Sequence, residues 1–324
     1  MFRFPFSAAH VSASMQRISV WLLPIESDTW LTFLRVGLGI QIAAFCLSLR
    51  ADWNNLFGDL LSRDLAEKIL SLESPFIPRL GWIAAFGKGL GLSEEIVLWM
   101  VWSGLLLAGC ALLVGIAPRF FAALAWLLHL SLTKSGAFLS YGLDNFITIG
   151  LFYLTLSPLP DQWSLDARWR KSRPQDRHLL GFSRRVLQLH LCFIYFFGGL
   201  SKILGSGWWD GSNLWRALIR PPFDVLAPET LVRWKYVFPL AGIAIALLEF
   251  SYPCLIWAKR TRNLGLFCVC SMHAAIGLAM GMYLFAFVMI VLNVAAFAPE
   301  ALFLKSINRL RWGGGHPGKA EASL

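Results

Sequence analysis

Residues 95–116 read EIVLWMVWSGLLLAGCALLVGI, and after Glu95 the stretch holds no charged side chain. A helix of about 20 apolar residues spans the hydrocarbon layer of a bilayer, and this run is long enough to do so. A soluble core could hide one such helix, but similar runs stand near 29–48, 119–136, 142–159, 184–203, 236–257, 264–281 and 282–298. Of the 324 residues 57% are hydrophobic and 15% charged, too little polar surface to coat a water-soluble domain of this size. The expected fold class is therefore an all-α polytopic integral membrane protein, a bundle of about eight transmembrane helices with amphipathic surface helices. The last two runs have almost no loop between them, so seven to nine crossings stay open.

Outside the runs, charge sets a direction. The formal net charge is +10, but the basic residues cluster in short loops between apolar segments, where they set topology. No basic groove module of the nucleic-acid-binding kind is visible, so no nucleic acid is expected. With eight spans and the N-terminus inside, 17 Lys and Arg fall on the inner side and ten on the outer. The expected placement is a bacterial inner membrane with both termini cytoplasmic. The domain reading is an N-terminal cytoplasmic or interfacial segment at 1–28, one transmembrane domain at 29–298, and a short cytoplasmic tail at 299–324. Fifteen Trp suit the membrane–water interfaces.

Two outer segments are more than linkers. Residues 60–72 (LLSRDLAEKILSL) place apolar side chains on one helical face and charges between them, as in a helix lying on the membrane surface. Residues 212–219 predict a second short helix, stopped by Pro221 and Pro222. All six cysteines lie inside apolar runs, which argues against a disulfide framework or a zinc site. No span carries an HxxxH or HxxE pair, so no metal is expected.

Ionisable residues are costly inside a membrane and usually face the bundle interior. Here they are Arg35, His129, Asp144, His190, Lys202, Glu249 and His273, with Gln41, Asn145, Gln188 and Asn293 beside them. Lys202, Asp144, Asn145 and His129 fall toward the outer ends of their spans. Gln188, Tyr195 and Lys202 are seven apart and share a helix face. Gly198 and Gly199 would let a neighbouring backbone come close. A lysine in a partly dry site loses some preference for its charged form, and a neutral amine can serve as a base. Equally, Lys202 can snorkel to the outer headgroups. Asp144 and Asn145 can cap their helix, His129 and His273 can make interhelical hydrogen bonds, Glu249 can pair with Arg35 or a histidine, and Arg35 can bind lipid phosphate. Trp208, Trp209 and Asp210 either line the mouth of an outward pocket or belong to an interfacial aromatic belt.

A family pattern runs through these residues. YFFGGLSK at 195–202, followed by Trp208 or Trp209, Asp210 and Gly211, resembles the vitamin K-dependent γ-carboxylase superfamily, whose bacterial branch is called HTTM, the horizontally transferred transmembrane domain. RVGLG at 35–39 is similar to its opening helix. YGLD at 141–144, Pro158, and WSLD at 163–166 are similar to the stretch before its lysine helix. Met272-His273 with Gly281-Met282 looks like its late histidine helix. The resemblance covers about residues 25–300. It implies that Lys202 is the base that deprotonates reduced vitamin K, a menaquinol-type quinol, with O2 and CO2 as co-reactants, and that His273 helps hold the ring. The residues at 135–140, SGAFLS, hold no histidine where the carboxylases have one.

The reading of the sequence is thus a membrane enzyme with an outward-facing intramembrane pocket, using Lys202 and His273 on a quinol-type or peptide substrate. Asp144, Asn145, Tyr195, Trp208, Trp209, Asp210 and His129 are the pocket candidates, and membrane lipids, a quinone and a secreted peptide the expected partners. The alternatives are a non-catalytic scaffold or accessory protein for maturation, export or immunity of a secreted peptide, and a transporter.

Overall fold

The computed structural model describes residues 8–58, 60–136, 140–170 and 176–299. The first seven residues, and the expected cytoplasmic tail beyond Pro299, lie outside the described residues. Those described form helices and no strand, as the apolar runs require: in lipid every backbone polar group must be satisfied within its own segment.

In chain order the helices are α1 Ala8–Leu22, α2 Thr29–Ser48, α3 Trp53–Phe57, α4 Leu60–Glu73, α5 Leu80–Gly89, α6 Glu94–Val114, α7 Pro118–Ser135 and α8 Gly142–Leu156. There follow α9 Leu165–Arg170, α10 Arg177–Leu204, α11 Ser206–Trp209, α12 Ser212–Ile219, α13 Pro228–Arg233, α14 Val237–Trp257, α15 Arg262–Met280 and α16 Tyr283–Phe297. Five of them, α2, α6, α10, α14 and α15, are long and apolar enough to cross a membrane, and α8 and α16 are shorter apolar helices. Together with α7 they build the bundle.

The bundle has two halves. In the first, α2 packs on α6, α6 on α7 and α7 on α8; in the second, α10 packs on α14 and α14 on α15. Helix α16 joins them, lying against α15 on one side and against α2 and α8 on the other. Lipid tails are as apolar as the helix surfaces, so close backbone approach rather than water exclusion holds such pairs. A Cβ at Gly109 of α6 would sit 3.0 Å from Ala43 N of α2. The break between the last two spans is Gly281, whose φ of 68° suits a residue without a Cβ. It turns α15 back into a hairpin with α16 rather than one broken element.

At one end of the bundle Arg35 is paired, though not as the sequence suggested. Its guanidinium does not meet Glu249. It binds Asp161 from the loop after α8, with Nε 2.6 Å from Oδ2 and a terminal nitrogen 3.1 Å from Oδ1. It also donates to the Leu112 carbonyl at the end of α6, at 2.5 Å. Arg184 works similarly, donating to Glu26 and to the carbonyls of Ala295, Ala296 and Ala298, which closes the end of α16. Helix α1 is held by Arg185, whose guanidinium carbon lies 4.8 Å from the ring centres of both Trp21 and Trp257, themselves 5.4 Å apart.

At the other end α4 and α5 form a small cap. Charged residues of α4 point inward as well as outward: Glu67 accepts from Ser135 at the end of α7, at 2.7 Å, and Arg63 pairs with Glu94 at the start of α6. The surface helix is thus tied to the bundle by polar contacts, beyond its apolar stripe.

Candidate functional site

The site grows from the two glycines of α10. A Cβ at Gly199 would collide with the backbone of Phe250, and one at Gly198 would lie 3.1 Å from Glu249 Oε2. The missing side chains let α14 lie directly on α10, one turn before Lys202. Glu249 then reaches the lysine, with Nζ 2.5 Å from Oε2. The ammonium also lies 5.2 Å from the Trp208 ring centre, a cation–π distance. Trp208 is held there because Gly242 of α14 leaves room for its backbone. Lys202 is therefore an ion-paired cation in a half-buried position. Glu249, read from the sequence as a partner of Arg35 or a histidine, is instead the partner of Lys202.

Beside this pair runs a chain of buried side chains whose polarity can be read. Asn293 Nδ2 donates to the Met289 carbonyl at 2.8 Å, and a carbonyl only accepts, so the orientation of the amide is fixed. The same Nδ2 donates to Tyr195 Oη at 2.7 Å, and Asn293 Oδ1 accepts from the Tyr252 hydroxyl at 2.7 Å. The single proton of Tyr195 Oη is left for His273 Nε2, 2.7 Å away. Neutral His273 then carries its proton on Nδ1. That nitrogen is buried, on a residue only 4% exposed, and has no hydrogen-bond partner among the described residues. A buried N–H without an acceptor is rare and costly in native structures. His273 is thus a donor held ready beside Tyr195.

An apolar cavity of about 780 Å³ lies between α12, α13, α14 and α15; Lys202, Glu249 and His273 are not among its lining residues. Leu248 of α14 and Met272 and Ile276 of α15 line it. Its volume lies in the range of small-molecule pockets.

The structure brings together Lys202, Tyr195, Trp208 and His273 of the expected residues. His129 and Asp144 form a second pair in the other half of the bundle. Their closest approach is 3.7 Å, and His129 Nδ1 lies 3.1 Å from the Thr148 hydroxyl. Phe285 stands between the two groups, with its ring 5.7 Å from His273 and 5.9 Å from Phe146 of α8. Asp144 caps α8 by accepting from Tyr141 N at 3.0 Å. Asn145 is exposed. Trp209 is exposed and donates to the Ile203 carbonyl, and exposed Asp210 accepts from Ser212 N at 2.8 Å, which pulls its carboxyl below the usual range. These three belong to the local turns and helix starts. His190, off the lysine face, meets the Tyr153 hydroxyl at 2.8 Å.

Reasoning from the sequence missed Tyr252 and left Glu249 and Asn293 outside the site. Polar residues on otherwise apolar helices were the available signal: Glu249 and Tyr252, three apart on α14, and Asn293 on α16. Pairing them needed the helix order around the bundle.

A family model described as HTTM domain matches residues 88–300, a stretch that takes in α6 to α16 and every group of this site. No curated protein and no solved structure matches the chain.

Proposed function

This chain belongs to the HTTM family, and from that premise we propose that it is a membrane enzyme akin to the vitamin K-dependent γ-carboxylases, acting on a quinol-type substrate at Lys202. The observation that carries the reading is the buried, unpartnered Nδ1 of His273 in the same half of the bundle as the Lys202–Glu249 pair. The two donors suit an electron-rich oxygen, and the carboxylate supplies a proton acceptor within the same group of side chains. A reduced quinone, when bound, would supply an acidic O–H and reducing equivalents. His273 would donate to one of its oxygens and Lys202, remaining an ammonium, would stabilise negative charge there. Glu249 would take the proton. This division of labour differs from a lone neutral lysine acting as base, because an ion-paired lysine has no lone pair to offer until its proton leaves. The 780 Å³ cavity would hold the apolar part of the molecule.

For eight crossings of a bacterial inner membrane, the excess of Lys and Arg on one side supports an orientation with both termini cytoplasmic. In that orientation the Lys202 end of α10 faces outward.

The test is mass spectrometry of quinones and lipids that copurify with wild type, Lys202→Ala and Glu249→Gln, together with turnover of a reduced menaquinone. The expected result is a quinone bound to wild type and depleted in Lys202→Ala, with Glu249→Gln still binding but failing to turn over. Equal quinone content in all three, with no turnover by wild type, would overturn the reading.

A further inference from the structure

The cap formed by α4, α5 and the start of α6 encloses a cleft of about 680 Å³, at the end of the bundle where α2 and α7 finish. Three cations line it, Arg63, Arg79 and Lys88, together with Asp64, Glu67 and Glu94. Both arginines are 8% exposed, and each has an Nε without a hydrogen-bond partner. The carboxylates are unequally committed. Glu94 is taken by Arg63. Glu67 Oε1 accepts from Gly81 N at 2.8 Å and from Ser135 Oγ at 2.7 Å. Arg79 meets only neutral acceptors, the carbonyls of Glu67 and Ser74, both at 3.3 Å, with its guanidinium carbon 5.0 Å from the Trp82 ring centre. Neither Arg79 nor exposed Lys88 has a carboxylate partner among the described residues.

A buried guanidinium with one unused N–H, long bonds to carbonyls and no counter-ion is costly to maintain unless an acceptor completes it. Arg79 is such an arginine, and Arg63, although paired with Glu94, adds a second unused Nε to the cleft. Its own carboxylates match its cations in number, which disfavours a multiply charged anion and suits a single negative group. We propose that the cleft binds one monoanionic oxyanion, a phosphodiester or carboxylate, held by Arg79 and Lys88 and bordered by Arg63. The position at the end of the bundle admits two sources of that chemistry, a phospholipid headgroup or a soluble anion. The site lies outside the Lys202 group and does not depend on the reading of that group.

The experiment uses the full chain in an uncharged maltoside detergent. Calorimetric binding is measured for a short-chain phosphatidylglycerol, for glycerophosphoglycerol as the headgroup alone, and for acetate. Wild type is compared with Arg79→Gln and with Lys88→Gln, the latter an exposed position that leaves folding intact. Binding should weaken about tenfold or more in Arg79→Gln, as for loss of a charge-assisted hydrogen bond, and less in Lys88→Gln. Binding of the short-chain lipid alone supports the proposal with a membrane source; binding of the headgroup or acetate as well supports it with a soluble one. If no probe binds wild type, or if Lys88→Gln and folded Arg79→Gln bind like wild type, the proposal is wrong.

Discussion

Replacing Arg35 by Met should be among the most destabilising single changes in the bundle. Arg35 is 1% exposed and Asp161 0%. Asp161 accepts from Arg35 Nε at 2.6 Å and from its terminal nitrogen at 3.1 Å, and also from Thr32 at 2.7 Å and Trp163 N at 3.2 Å. Methionine fills much of the same volume, so cavity formation contributes little. What it removes is the countercharge. The carboxylate keeps two neutral donors and loses two charged ones, and the Leu112 carbonyl loses a bond of 2.5 Å. Breaking a buried pair from one side costs about 3–5 kcal/mol, a large part of the roughly 5–15 kcal/mol that stabilises a folded domain. Replacing both partners removes the stranded charge as well, so Arg35→Met with Asp161→Leu should cost less than the sum of the singles, by about 1–3 kcal/mol. Reversible unfolding in mixed micelles of detergent and SDS measures all four proteins. A cost below about 1 kcal/mol for Arg35→Met would put the pair with exposed ion pairs, and strict additivity would mean the two groups do not stabilise each other. Either result would refute the assignment of Arg35 as the lock between α2, α6 and the loop after α8.

Three further outcomes follow from the same structure. Gly199→Leu should force α14 away from α10 and separate Glu249 from Lys202; quinone retention, read by mass spectrometry, should fall as it does in Lys202→Ala while the helix content read by circular dichroism stays. Tyr252→Phe keeps the ring but leaves Asn293 Oδ1 buried without its donor, at a cost of about 1–3 kcal/mol in the micelle assay. Asp28, just before α2, is pushed above the usual carboxylate range chiefly by burial, against the stabilising donation of Gln162 N. A raised carboxyl binds its proton more tightly folded than unfolded, so its contribution to stability falls as pH rises from the unfolded value of about 3.9 through the folded one. Asp28→Asn should therefore stabilise the protein near neutral pH, and that gain should vanish in acid; a gain of the same size at both pH values would contradict the assignment.

Much of the architecture was legible in the chain because apolar runs in a bilayer have few options. The run at 95–116 became α6, the amphipathic stretch at 60–72 fell within α4, and 212–219 became α12. The glycines of YFFGGLSK announced a close contact, and the structure supplied α14 as the helix that makes it. The short caps α3, α5, α11 and α13 carry no long periodic signal, and their places depend on the bundle ends they cover.

The candidate site was legible only in part. Hydropathy marks a lone Lys202, Glu249 or His273 as misplaced in lipid, because each must find a partner there, but it does not say which. The partner of each group, the counter-ion of Lys202 and the free proton of His273 follow from which helix faces lie together, and those are fixed by contacts between residues far apart in sequence. The sequence by itself determined that this protein lives in a membrane as a helical bundle, since burial of backbone polar groups leaves no other choice. Only the tertiary structure decided that Lys202 meets Glu249, because the glycine contact of α10 with α14 brings the two side chains together.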